Sequence, residues 1–199
     1  MRVMATGFEP FGGDKINPSW EAVRALPDRI GAAEIVKCQI PTAFEAAERI
    51  IRKRLDQVRP DALLCVGLYG GSPSIRVERV AINLQDARIP DNAGAKPQDQ
   101  PVCPEGPDAY FATIPTRKIV ETMTSLGIPA VLSYSAGTYV CNTLLYSALD
   151  HIARQELHIP CGFLHVPYST ELAAELGSNA PSMETDTVVR ALTIAVECL

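Results

Sequence analysis

Ile128-Pro129-Ala130-Val131-Leu132-Ser133-Tyr134, continued by Ser135-Ala136-Gly137-Thr138-Tyr139-Val140-Cys141-Asn142, carries a short apolar run through a turn and into a helix. The run reads as a buried strand with Pro129 at its edge, and Ala136-Gly137 supplies the small residues a tight turn needs. Leu144, Leu145, Ala148, Leu149 and Ile152 then recur at helical spacing. The same rhythm extends in both directions. Residues 1–7 read as a first strand, Asn17-Pro18 as a helix entry running to about Leu26, 35–40 as a strand and 43–58 as an amphipathic helix. Residues 61–67 form an apolar run closed by glycine, as expected of a strand buried on both faces. Residues 76–84 read as a further strand, 116–126 as a helix and 161–166 as a strand. A last helix starts near Glu184, with Ser182 as its candidate cap. Such alternation predicts an α/β fold: an open, twisted, mostly parallel sheet with helices on both faces.

With 199 residues, 47% of them hydrophobic, the chain can bury a full core as a single domain, residues 1–199. Its net charge of -5 and the lack of a basic cluster longer than Arg52-Lys53-Arg54 exclude a nucleic-acid groove. That triplet lies on a predicted helix and reads as its solvated face. No run is apolar enough for a membrane span, and no secretory leader is visible. The six cysteines, at 38, 65, 103, 141, 161 and 198, include no close pair, so neighbours in sequence build neither a zinc knuckle nor a redox Cys-x-x-Cys. A reduced, cytoplasmic protein is expected. One segment breaks the rhythm: six of the sixteen prolines fall between Ile89 and Thr116. Long excursions of this kind are usually functional, and a substrate lid or a subunit contact is the expectation here.

Cys141 falls in or just before a first helical turn, where unpaired backbone N–H groups and the helix dipole favour thiolate over thiol. It reads as a nucleophile, or else as a small apolar core residue. A nucleophilic thiol needs a base, and there are three histidines. His151 lies ten residues along the same helix, about 15 Å away and out of reach. His158 sits in a short connection and reads as exposed. His165 closes the strand 161–166, at the kind of strand end where α/β sites assemble, on a strand expected beside the one preceding Cys141. Taken alone, His165 is equally a half-buried histidine satisfied by backbone. Strand alternation puts Glu78 on one face with Val80 and Ile82, and a carboxylate there needs a partner. Arg76 or Arg79 would make that partner a structural ion pair; His165 would make it the third member of a Cys-His-Glu arrangement.

Several blocks now come together: Thr6-Gly7-Phe8-Glu9-Pro10-Phe11-Gly12-Gly13, Asn17-Pro18-Ser19-Trp20-Glu21, Glu78-Arg79-Val80-Ala81-Ile82-Asn83-Leu84, Asp86-Ala87-Arg88-Ile89-Pro90-Asp91-Asn92, Ser135-Ala136-Gly137-Thr138-Tyr139-Val140-Cys141-Asn142 and Gly162-Phe163-Leu164-His165-Val166-Pro167-Tyr168. Through them the chain resembles the pyrrolidone-carboxylate peptidases, or type I pyroglutamyl peptidases. The resemblance implies a triad of Cys141, His165 and Glu78, and an open α/β sandwich like that of nucleoside phosphorylases. It also implies no cofactor and no metal, peptide substrates with an N-terminal pyroglutamate, and a homo-oligomer, most often a tetramer. By the same resemblance Arg88 belongs to the oxyanion network, and Phe8 and Phe11 sandwich the lactam ring. Thr42, Ile89, Tyr139 and Val140 match other pocket positions. Two residues depart from the family pattern: Leu68 stands where some relatives have glutamine, and Ser72 where the pattern has arginine. The competing reading is a non-catalytic small-molecule-binding protein on a nucleoside-phosphorylase-like scaffold. A phosphate loop is weaker, since Gly7 to Gly13 lacks a Gly-Lys-Ser/Thr ending.

Overall fold

The computed structural model describes residues 1–177 and 179–199. In chain order the elements are β1 (Arg2–Phe8), α1 (Pro18–Ala25), β2 (Arg29–Ile30), β3 (Ala33–Ile40), α2 (Phe44–Val58), β4 (Ala62–Leu68), β5 (Ile75–Glu78), β6 (Val80–Ile82), β7 (Ala109–Phe111), α3 (Thr116–Ser125), β8 (Ala130–Ser133), α4 (Val140–Arg154), β9 (Cys161–Val166), α5 (Thr170–Glu175) and α6 (Thr185–Glu197). Seven strands form one sheet in the order β2-β3-β1-β4-β9-β5-β8. Its centre, β3, β1, β4 and β9, is parallel, while β5 pairs antiparallel with β9 and parallel with β8. The central strands β1 and β4 are almost continuously buried, which requires cover on both faces. One face packs on α1, α3 and α6 through Val23, Ile119 and Leu192; the other packs on α2 and α4 through Ile51, Leu144 and Tyr146. The sequence expectation of a mostly parallel, two-sided α/β sheet is met.

Local signals explain several element ends. Asn17 caps α1 by accepting from the Ser19 N–H at 3.1 Å, with Pro18 at the first helical position; such a cap stabilises a helix by about 1 kcal/mol. Ser19 in turn accepts from the Phe8 N–H at 3.0 Å, which fixes the helix to the end of β1. Gly7 is required at this junction, because a β-carbon there would lie 2.7 Å from the Ser19 carbonyl oxygen.

Four expectations are corrected. Residues 76–84 are not one strand: the chain leaves the main sheet at Arg79, whose N–H donates to the Ser133 carbonyl of β8 while its own carbonyl accepts from Ala112 beside β7. β6 therefore belongs to a separate two-stranded sheet with β7, and Glu78 does not share a sheet face with Val80 and Ile82. Nor does β9 adjoin β8. β5 lies between them, because β5 and β8 run opposite to the parallel centre. Ser182 does not cap the last helix; Glu184 occupies the cap position without a side-chain bond, and Ser182 bridges to Tyr168. Finally, Arg52 is not simply solvated: it bonds Glu48 at 3.1 Å and approaches the buried Asp150 at 3.3 Å. The short elements β2, β7 and α5 carry too few residues for a periodic pattern to reveal them.

The proline-rich excursion is fastened at many points. Gln85 and Gln100 exchange backbone hydrogen bonds, Asn83 bonds both the carbonyl and the N–H of Cys103, and Val102 and Ile114 enter the two cores.

Candidate active site

His165 and Glu78 meet on one face of the sheet. In the antiparallel β5–β9 pair, Arg76 lies opposite His165 and Glu78 opposite Phe163, so Glu78 and His165 are diagonal neighbours. Their side chains close the gap: His165 Nδ1 is 2.8 Å from Glu78 Oε1, and both residues are buried. An ionised carboxylate can only accept, so Nδ1 carries the hydrogen and Nε2 keeps a lone pair. Of the three partners suggested for Glu78 by the sequence, His165 and Arg76 are at hand, Arg76 Nε lying 3.8 Å from Oε1, and no ion pair joins Glu78 to Arg79 among the described residues.

Cys141 reaches the same face of the sheet from α4, as the second residue of that helix. Residues 82–86 are zipped onto the start of this helix. The buried Asn142 side chain accepts from the Ile82 N–H at 2.9 Å and donates to the Ile82 and Leu84 carbonyls at 2.8 and 3.0 Å. Thr138 Oγ1 donates to Asp86 O at 2.8 Å, and the Asp86 N–H donates back to Thr138 O at 3.0 Å. The sulfur itself is turned inward onto Gly67, where a β-carbon would stand 2.8 Å from Sγ and 2.7 Å from the Phe163 ring. Gly67 is the register partner of His165 across the parallel β4–β9 pair, and the Phe163 and His165 rings are 4.7 Å apart. The thiol thus sits over the strand pair that carries the imidazole. Among the described residues no hydrogen bond joins the two; contacts of this kind tighten in the Michaelis complex.

The environment does not favour the resting thiolate expected from helix position. Although Cys141 as a residue is only half-buried, enclosure of its sulfur, together with the Glu78 carboxylate and Cys65, pushes the thiol up to about 12. The helix-start N–H of Cys141 pulls the other way and does not outweigh burial.

A small recess of about 40 Å³ opens beside the sulfur, lined by Phe8, Phe11, Asn17, Thr42, Leu68, Tyr139, Val140 and Cys141. Its walls are mostly apolar. Phe11 and Tyr139 rings lie 6.2 Å apart, and Phe44 meets Tyr139 edge-on at 5.3 Å. Glu9 braces the rim: Oε1 accepts from the Thr42 N–H at 3.1 Å and from Asn92 Nδ2 at 2.9 Å. Two roomier clefts lie elsewhere, one between α2 and residues 95–102, the other between α1 and α5, and neither includes Cys141 or His165.

Of the residues expected in the pocket, Phe8, Phe11, Thr42, Tyr139 and Val140 line this recess with Cys141. Arg88 and Ile89 do not; both are exposed in the loop that follows β6. Ser72 is buried and bonds Ser74 O at 2.7 Å, away from the recess. Asn17 and Asn142 escaped sequence reading as parts of the site. Asn17 was absorbed by its cap signal, and Asn142, a polar residue at the head of an apolar helix face, carried the clue of a buried amide needing partners. His151 pairs with Asp56 at 2.8 Å and His158 is exposed, so neither competes with His165.

The whole chain, residues 1–199, matches the sequence model of the family described as Pyroglutamyl peptidase. It is 47% identical over 199 residues to Pyrrolidone-carboxylate peptidase 1 of Caldanaerobacter subterraneus subsp. tengcongensis, covering 100% of this chain and 98% of that protein. Over 197 residues it is 48% identical to Pyrrolidone-carboxylate peptidase of Thermococcus kodakarensis, with 99% and 95% covered. The crystal structure of pyroglutamyl peptidase I from Bacillus amyloliquefaciens superposes with a TM-score of 0.95 at 45% identity, spanning 99% of this chain and 93% of that one. Sequence and fold agree from end to end, and the chain belongs to the pyroglutamyl peptidase family.

Proposed function

We propose that this protein is a cysteine exopeptidase that removes an N-terminal pyroglutamyl residue from peptides, with Cys141 as nucleophile, His165 as general base and acid, and Glu78 as the carboxylate that orients the imidazole. The observation that carries this reading is the buried 2.8 Å contact between His165 Nδ1 and Glu78, directed from behind at the strand pair on which the Cys141 sulfur rests.

The contact makes Nε2 the free, basic nitrogen. With the thiol pushed up to about 12, sulfur starts protonated and its proton moves to Nε2 as sulfur attacks the pyroglutamyl carbonyl. Glu78 stabilises the imidazolium that forms. The oxyanion develops against the start of α4, where the Cys141 N–H has no helical acceptor, and Arg88 is assigned to the same network by family resemblance. The imidazolium then protonates the departing amine, leaving a thioester on Cys141. Water deprotonated by His165 hydrolyses it and returns the thiol. Positioned proton transfer of this kind contributes about 10²- to 10⁴-fold.

The recess supplies selectivity. A neutral lactam enters apolar walls at little cost, whereas a charged amino terminus loses hydration there without compensation. Phe8, Phe11, Tyr139 and Val140 hold the ring, and Thr42 closes one side. Leu68, apolar where a polar residue would offer a hydrogen bond, leaves lactam recognition to backbone groups. We further propose a homotetramer acting in the cytoplasm. The six free cysteines suit a reducing compartment, and no helix among the described residues is long and apolar enough to cross a membrane.

Reduced protein is expected to release the chromophore from a pyroglutamyl-amide substrate, and iodoacetamide to abolish the release. Absence of turnover by fresh, reduced protein contradicts the proposal.

A further inference from the structure

Two buried polar atoms next to the proposed catalytic pair have no hydrogen-bond partner among the described residues. Glu78 Oε2 accepts no hydrogen bond, and Arg76 Nε, one strand position away on the same face, donates none. The guanidinium makes two other contacts. Its Nη2 donates to Ser133 Oγ at 2.9 Å on β8, and its plane lies over the Tyr69 ring with 4.7 Å between Cζ and the centroid. Tyr69 in turn meets the His165 ring edge-on at 5.5 Å. One side chain therefore touches the carboxylate on one side and the ring that covers the imidazole on the other.

We propose that Arg76 is a positioning residue for the Glu78–His165 pair: it anchors the carboxylate and holds Tyr69 as a cap on the imidazole. A carboxylate with one buried, unsatisfied oxygen is free to rotate away from His165 unless a cation fixes it. Arg76 Nε, 3.8 Å from Oε1, lies about 1 Å beyond hydrogen-bond distance, so a small rotation of the carboxylate brings it within reach of the guanidinium. Such a rotation is favoured once His165 gains a proton and the charges of the three groups alternate. The stack on Tyr69 excludes water from the outer side of the imidazole, which strengthens its contact with Glu78. Arg76 lines neither the recess nor the sulfur, so its effect falls on the chemical step and not on substrate binding.

This inference deepens the proposed peptidase reading and rests on it for its kinetic test, so a second readout is chosen that needs no substrate. In Arg76→Ala, kcat on a pyroglutamyl amide is expected to fall about tenfold to a hundredfold, the range for one lost charge-assisted contact, with KM changed less than about twofold. Alkylation of Cys141 by iodoacetamide slows in parallel. Because the Arg76 side chain is partly exposed, guanidinium ion at millimolar, non-denaturing concentration recovers part of both rates in Arg76→Ala and leaves the wild type unchanged. Arg76→Lys, which keeps the charge but not the planar stack, falls between the two. Wild-type kcat and alkylation in Arg76→Ala overturn the proposal. So does a loss of both rates that tracks a lower melting temperature and is unaffected by guanidinium, which marks a role in folding alone. If the wild type cleaves no pyroglutamyl amide while Arg76→Ala still slows alkylation reversibly, the substrate reading fails and the positioning role stands.

Discussion

The sulfur of Cys141 fills the space a side chain at residue 67 would need: a β-carbon on Gly67 would stand 2.8 Å from Sγ. The strand that supports the imidazole and the helix that delivers the thiol therefore meet through a missing side chain. Gly67→Ala must displace the sulfur or the Phe163 ring. Since an ångström of misplacement can reduce a rate about 10²-fold, kcat/KM on a pyroglutamyl amide is expected to fall by that order. Overpacking lowers stability by about 1–3 kcal/mol, readable in denaturant titration. Wild-type kinetics in Gly67→Ala would contradict this placement.

Glu78→Gln tests the tautomer argument. The amide has nearly the same shape but no charge to stabilise an imidazolium, and it can present an N–H to Nδ1. The expected outcome is a kcat about 10²- to 10⁴-fold lower with KM nearly unchanged and the far-ultraviolet dichroism of the wild type. A variant that retains most of its kcat would remove Glu78 from the mechanism.

Much of this arrangement is legible in the sequence, for identifiable reasons. Cys141 was visible because an apolar run, a small-residue turn and a helical repeat fix its place at a helix start. His165 emerged because it closes an apolar strand while His151 and His158 lie out of reach. The neighbourhood of Glu78 was misread, since residues 76–84 alternate without a break and nothing local announces that Arg79 transfers the chain from β8 to β7. The order of β9, β5 and β8 is equally invisible, because strand direction depends on crossovers and not on periodicity. The raised thiol is hidden from the sequence for a related reason: helix position alone favours a thiolate, and only packing against Gly67 and Phe163 shows the enclosure that opposes it.

That enclosure sets the pH dependence of Cys141 reactivity. With the thiol pushed up to about 12, the thiolate fraction grows tenfold per pH unit across the neutral and mildly alkaline range. In His165→Ala, where no base assists, iodoacetamide alkylation of Cys141 should climb steadily beyond pH 10 on mass-spectrometric readout. A plateau near 8.5, the value of an ordinary cysteine, would contradict the buried thiol.

The same shift has a stability consequence with a fixed sign. Cys141 and Cys65 are both raised from 9.0 to about 12, and Cys161 is raised well above 9.0, in each case chiefly by burial. Between those values the folded state keeps protons that the unfolded chain releases, so stability present below pH 9 is lost as pH rises towards 12. Urea midpoints are expected to fall over that window. Cys65→Ala should flatten the slope while costing some core packing, and a slope equal to that of the wild type would contradict the linkage.

Phe11→Ala addresses the recess. Loss of one wall that faces Tyr139 should raise KM about tenfold and leave kcat within a few-fold, because the ring is held before and during attack alike. An unchanged KM would place lactam binding elsewhere.

The central claim is a thioester on one sulfur. Mixing reduced protein with a pyroglutamyl amide or ester, quenching in acid within a turnover and mapping the peptides by mass spectrometry tests it directly. The account predicts a pyroglutamyl adduct on Cys141, absent from Cys141→Ser and from protein alkylated beforehand. Steady turnover with Cys141 unmodified, or wild-type turnover by Cys141→Ser, would contradict it.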